Sequence, residues 1–179
     1  MSKKIKCFLI EPTNFKQRSL RRYVPSDRAK CSTVYGYHNA SVLIDRVEDS
    51  DQASGDLWPH DDSRWPTHCS CGYKFQKEDE WQLNYETLYR RTDIGEETTI
   101  PSAPIGAIWR ATWLEDVFKG PDGQCLVLKT PGGDWLIDGP STNGNGWTRT
   151  GTPPNLTVNP SILANTYHGW LKNGELVEC

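Results

Sequence analysis

Tyr167-His168-Gly169-Trp170-Leu171-Lys172-Asn173-Gly174-Glu175-Leu176-Val177-Glu178 reads as two short strands joined by an Asn-Gly turn. Asn-Gly between alternating residues is the strongest short-range hairpin signal, because the tight two-residue turn needs positive φ at its centre. The same grammar extends upstream. Cys125-Leu-Val-Leu-Lys-Thr130 and Asp134-Trp-Leu-Ile-Asp138 are two strand-like runs around Pro131-Gly132-Gly133. Pro121-Asp-Gly-Gln124 is a turn, and Asn155-Leu-Thr-Val-Asn-Pro-Ser-Ile-Leu163 is a further extended piece behind Pro153-Pro154. The Gly/Asn-rich residues 141–151 are expected to form a loop. The C-terminal third is thus a series of antiparallel hairpins.

Towards the N-terminus the signals are more mixed. Residues 6–11 suggest a strand stopped by Pro12, and the polar, basic residues 14–23 suggest a short helix ended by Pro25. Residues 40–47 look extended. Residues 49–62 are acidic and predict a surface loop pinned by Trp58 and Trp65. Trp81, Tyr85, Leu88 and Tyr89 fall at helical spacing, so residues 76–90 are the best helix candidate. Residues 100–106 are a Pro-broken connector, and 108–118 predict a strand followed by a helical turn. The expected class is α+β, mainly β: a turn-rich single domain with antiparallel hairpins, one short helix and a Cys/His metal knuckle. Residues 1–30 would form a basic N-terminal strand and arm, and 31–179 the β-rich domain.

Composition agrees. The chain has 179 residues, suited to one domain with a core of useful size. Eight Trp offset a modest aliphatic content, since each ring buries a large area. Fifteen Gly and twelve Pro imply many turns and argue against a helical bundle. No run of about 18 apolar residues exists, so no helical membrane span is expected. The apolar stretch after Lys3 and Lys4 is too short for a signal peptide, which points to a reducing compartment where thiolate metal sites outcompete disulfides. Charge is asymmetric: residues 1–30 hold nine Lys or Arg against two acids, and residues 31–62 hold one Arg against seven acids. Either the two segments complement each other in the fold, or the basic arm reaches nucleic acid or an acidic partner through Lys16, Arg18, Arg21 and Arg22.

One dense Cys/His cluster exists, His68-Cys69-Ser70-Cys71-Gly72. A zinc knuckle needs two donors aimed at one ion, with Zn–S bonds of about 2.3 Å. Here one residue separates the cysteines and two separate His68 from Cys71. Either Cys69 and Cys71 both bind in a tight turn, or His68 and Cys71 form the pair. Cys31 and His38 are the expected far side, closing the acidic stretch with a structural zinc. Cys7, Cys125 and Cys179 stand singly in strand-like or terminal positions and read as ordinary core or end residues.

No catalytic residues are assigned. His-Glu-x-x-His, the deaminase His-x-Glu…Cys-x-x-Cys, a Walker loop, Gly-x-Ser-x-Gly and a dinucleotide fingerprint are all absent from the sequence. Asp134 and Asp138 share a strand face but read as solvated hairpin ends, and His168 reads as a polar anchor among aromatics.

Several strings resemble, in the same order, a family of uncharacterised proteins from tailed bacteriophages and related metagenomes. They are Tyr35-Gly-Tyr-His-Asn-Ala-Ser41, Asp61-Asp-Ser-Arg-Trp-Pro66, Cys71-Gly-Tyr-Lys-Phe75, Glu80-Trp-Gln82, Gly133-Asp-Trp-Leu-Ile-Asp-Gly139, Pro153-Pro-Asn-Leu-Thr-Val158 and Tyr167-His-Gly-Trp-Leu-Lys-Asn-Gly174. The family pattern has Cys-x-x-Cys-Gly at the knuckle and a cysteine-bearing insert near 141–152 that this chain lacks. The resemblance implies a phage origin and supplies no activity. It leads to the expectation of a non-enzymatic virion-associated or assembly component, in the virion or the host cytoplasm, whose partners are other phage proteins. An early factor binding host protein or nucleic acid, and a metal-dependent hydrolase, are the alternatives.

Overall fold

The computed structural model describes residues 4–32, 36–49, 62–140 and 146–179. The chain forms two compact units, Met1–Pro12 with Tyr89–Cys179, and Thr13–Leu88. Strands dominate, and among the described residues there is no α-helix. Among the described residues no helix is long and apolar enough to cross a membrane.

The first unit contains a five-stranded antiparallel sheet. Its strands are β1 (Lys4–Lys6), β12 (Glu175–Glu178), β11 (Tyr167–Lys172), β10 (Thr157–Ala164) and β9 (Thr148–Thr150), in that order. β11 and β12 are the Asn173-Gly174 hairpin, with Leu171 opposite Leu176. Both turn residues take positive φ, 45° and 74°, as a type I′ turn demands. The unit's other strands are β6 (Ala107–Arg110), β7 (Leu126–Thr130) and β8 (Gly133–Leu136), which pair antiparallel in sequence. The first residues of β2 (Phe8–Val24) lie parallel to β6, and the last of β4 (Glu80–Arg91) pair with β5 (Glu97–Thr98).

Alternation along β6 and β7 sorts side chains into two cores. Ile108, Leu126 and Leu128 enter one with Trp135, Leu156, Ile162 and Leu171, while Ala107, Trp109, Cys125 and Val127 enter the other with Phe8 and Ile10. These strands are buried on both faces, which explains their nearly unbroken apolar sequence. A 3-10 turn, Thr112–Leu114, follows β6 as expected.

In the second unit, β2 pairs antiparallel with β3 (His38–Glu48), from Phe15 opposite Glu48 to Val24 opposite His38, with a register shift between Arg18 and Ser19. Two helix expectations fail here. Residues 14–23 are strand, because Arg18, Leu20, Arg22 and Val24 alternate inward with period two and the β3 ladder captures the backbone. The strand runs through Pro12, which lies between the rungs to β6 and those to β3 and so forfeits no hydrogen bond in either ladder. Residues 76–90 also yield a strand, β4, in place of a helix. The helical spacing there was ambiguous: Leu83, Tyr85, Thr87 and Tyr89 also fit a period of two, and β-branched and aromatic residues favour the pleated surface. A third expectation changes in the first unit, where residues 148–150 of the expected loop form β9 against β10. Residues 50–61 of the expected acidic loop and 141–145 of the Gly/Asn loop lie outside the described residues.

A candidate metal centre

The site is built entirely within the Thr13–Leu88 unit. Val24 and His38 are opposite each other where β2 ends and β3 begins, so alternation turns His38 onto the buried face, where it is 4% exposed. Between them the chain turns at Pro25, whose carbonyl accepts from the Arg28 and Ala29 N–H groups, and the Cys31 N–H donates to Gly36 O at 3.3 Å. This loop delivers Cys31.

The second pair comes from a tight reversal over residues 67–75. His68 and Lys74 form an antiparallel bridge. The Cys69 N–H donates to Tyr73 O at 2.9 Å, the Gly72 N–H to Cys69 O at 2.9 Å and the Phe75 N–H to Thr67 O at 3.0 Å. Gly72 has φ +92°, a left-handed conformation that costs a residue with a Cβ on the order of 1 kcal/mol. That turn brings the Cys69 and Cys71 sulfurs to one centre, and His68, in the bridge before it, stays outside. His68 is accordingly exposed, its ring within 2.9 Å of Thr67 Oγ1, and it is not among the converging donors. Of the two spacings open in the sequence, the fold brings together Cys69 and Cys71.

The donor atoms of Cys31, His38, Cys69 and Cys71 all lie within 4.8 Å of one another, and the four can hold a metal ion. Cys31 Sγ is 3.9 Å from Cys69 Sγ, and His38 Nδ1 is 3.2 Å from Cys71 Sγ. A tetrahedron with Zn–S bonds of about 2.3 Å has S···S edges of about 3.8 Å, so the Cys31–Cys69 pair already stands at edge length. A disulfide would need roughly 2.05 Å, and all six cysteines are free thiols. The Tyr73 ring stacks on His38 at 4.0 Å and 13°, fixing the imidazole plane. Beneath them lie Val24, Cys69 and Phe75, a small core.

The electrostatics suit a thiolate ligand. Burial opposes ionisation of Cys69, but backbone N–H groups of Cys71 and Asn39, with the His38 and Cys71 side chains, outweigh it and lower the thiol to about 6. At Cys71 the Tyr73 N–H favours the anion, yet partial desolvation and the neighbouring Cys31 and Cys69 push its pKa up. Thiolates crowded this closely need a cation among them before all can ionise. The remaining thiols behave differently. Cys7 is buried in a hydrophobic cluster and burial pushes it up to about 12, Cys125 is likewise raised by burial, and Cys179 is exposed.

The basic residues proposed for partner contact separate into two groups. Lys16 Nζ is 2.6 Å from Asp49, and Arg18 forms a two-pronged bond to Asp45 at 2.7 and 2.5 Å. Arg22 is buried, donates to Lys77 O at 3.3 Å and lies over the Trp65 ring. Charge asymmetry along the chain thus becomes complementarity across the β2–β3 ladder. Arg21, on the opposite face of β2, instead lies over the rings of Tyr23 and Tyr37, 5.6 and 5.2 Å from their centroids.

Two readings in the other unit need revising or locating. Asp138 is not a solvated hairpin end: it is buried, accepting from Arg149 Nε at 2.7 Å and the Leu126 N–H at 2.8 Å, and Arg149 bridges onward to Asp122. Asp134 does pair at the surface, with Lys129. His168 is exposed and its Nε2 lies 3.3 Å from Ser161 Oγ. Tyr73, which steers His38, was the site residue missed; its only signal was adjacency to Cys71-Gly72.

No family model, curated protein or solved structure matches the chain. The site's own geometry therefore carries the functional argument.

Proposed function

We propose that this protein is a non-catalytic interaction component of a tailed bacteriophage, virion-associated or active in assembly, whose Thr13–Leu88 unit is closed by a structural zinc ion. The observation that carries the zinc reading is the donor set of three sulfurs and one imidazole nitrogen within 4.8 Å. Soft thiolates with one imidazole suit zinc over calcium, magnesium or manganese. Four side-chain donors make a closed tetrahedron, whereas a catalytic zinc keeps one position for water. This favours a clip over a hydrolase. The phage assignment rests on the ordered strings from Tyr35 to Gly174 set out above. Against the nucleic-acid alternative stand the internal partners of Lys16, Arg18 and Arg22.

Metal analysis tests the clip. Purified protein should contain one zinc per chain. Its Co(II) form should show intense thiolate-to-metal charge transfer and the d–d bands of tetrahedral coordination. Sub-stoichiometric metal, or an octahedral Co(II) spectrum, would sink it. Mass spectrometry of purified phage particles tests the role: a defined copy number, or a defect in particle assembly on deletion, supports it. Absence from particles together with normal assembly refutes it.

A further inference from the structure

Antiparallel register gives β3 two faces with different duties. His38 faces inward to the metal donors. Tyr37, the residue just before β3, lines a depression of about 280 Å³ with Arg21, Tyr23, Pro25, Ser26 and Gln82. Arg21 and Tyr23 are themselves two apart on β2, opposite Ser41 and Asn39. The Arg21 guanidinium lies over both tyrosine rings, which hold its plane without consuming its N–H donors. Among the described residues it makes no ion pair, in contrast to Lys16 and Arg18.

We infer that this depression is the partner-binding anchor of the protein and that it takes the carboxylate of an acidic peptide segment, held on the Arg21 fork. The inference rests on the interaction reading above and adds to it the chemistry of the partner. A planar guanidinium braced by aromatic rings is pre-organised for a two-pronged carboxylate bond, so little side-chain entropy is lost on binding. Pro25 and the two rings offer apolar walls for the hydrocarbon stem of a Glu side chain. Tyr and Arg are the residue types that most often anchor protein interfaces. A nucleic-acid strand would instead need a track of phosphate-neutralising cations. The cations that could extend such a track along β2 are paired to Asp49 and Asp45 or buried on Trp65.

The metal clip serves this anchor as a positioning device. Tyr37 is held between Gly36, whose carbonyl accepts from Cys31, and His38. The loop carrying two metal donors therefore also sets one wall of the anchor.

The test uses the full chain, loaded with zinc, and a fluorescein-labelled decapeptide of alternating Glu and Leu. The controls are the Gln-for-Glu peptide and a labelled dT15 oligonucleotide. Fluorescence anisotropy should show saturable binding of the acidic peptide and binding at least about tenfold weaker for the Gln peptide. Arg21→Gln and Tyr37→Ala should each weaken the acidic peptide by about tenfold at unchanged zinc content, with Arg21→Lys in between. Equal affinity in Arg21→Gln, no binding of the acidic peptide to the parent protein, or an Arg21-dependent preference for dT15 would each overturn the assignment. Zinc content is read on the same samples. A metal-free chain that still binds through Arg21 refutes the clip and leaves the anchor. A zinc-loaded chain with Arg21-independent binding does the reverse.

Discussion

Replacing Cys69 by Ser should separate the stability of the two units. Among the described residues, the buried apolar cluster beneath the donors is Val24, Cys69 and Phe75, with Ala29, Cys31, Ala40 and Tyr73 packed against it. At about 1.5–3 kcal/mol for each large apolar side chain fully buried, Val24 and Phe75 contribute on the order of 5 kcal/mol. A structural zinc site supplies about 10 kcal/mol or more at neutral pH, so the clip outweighs the cluster it sits on. Shared over four donors, one ligand accounts for about 2.5 kcal/mol, close to a hundredfold in metal affinity. Competition against a chromophoric chelator measures that ratio directly. Hydrogen exchange then locates the damage. With zinc stripped by chelator, the amides of Cys69, Gly72 and Phe75, bonded across the 67–75 reversal, should lose protection together with those of the Val24–His38 end of the β2–β3 ladder. Amides of β7, β8, β11 and β12 should keep theirs, because those strands pack on a core of their own. Unchanged protection at Cys69 and Phe75 after zinc removal would refute the reasoning. So would a Cys69→Ser protein that binds zinc as tightly as the parent.

Gly72→Ala, forced to keep φ near +92°, should lower the melting midpoint of the Thr13–Leu88 unit by the equivalent of about 1 kcal/mol and weaken Co(II) binding in a titration. Arg149→Ala would leave the buried Asp138 carboxylate without its cation and should cost about 3–5 kcal/mol in urea unfolding; Asp138→Asn in the same background should recover part of that. Side-chain bonds from Arg18 and Arg149 hold Asp45 and Asp122 below the ordinary carboxylate range. With the folded pKa depressed, their contribution is complete above the unfolded value of about 3.9 and is lost as pH falls through the folded value. The urea midpoint should therefore drop as pH falls below about 4, and Asp45→Asn together with Asp122→Asn should flatten that dependence.

The hairpins of the C-terminal third were legible residue by residue. Asn173-Gly174 and Pro131-Gly132-Gly133 carry turn chemistry that few other folds of the same segment would satisfy, and the structure places strands on both sides of each. The metal donors were legible as a set of five, since His68, Cys69 and Cys71 form the one dense Cys/His cluster of the sequence and Cys31 and His38 lie together upstream of it. Residues 14–23 and 76–90 misled because their patterns fit both periods. Arg18 and Arg22 look solvent-seeking in isolation, and the groups that receive them inside the fold, Asp45 for Arg18 and Trp65 with the Lys77 carbonyl for Arg22, lie far along the chain. Asp138 misled for the same reason, its partner Arg149 lying eleven residues away.

By itself, the sequence determined the β-rich class, the tight turns and the candidate donors Cys31, His38, His68, Cys69 and Cys71, because glycine conformations, strand alternation and thiolate chemistry are local properties. Only the tertiary structure decided which four donors converge, that His68 turns away, and that Arg21 lines an open depression while Lys16, Arg18 and Arg22 take internal partners. Those outcomes depend on register. A side chain's face in a strand is set by which rung it occupies, and the rungs from Arg21–Ser41 to Val24–His38 are made by residues far apart in the chain.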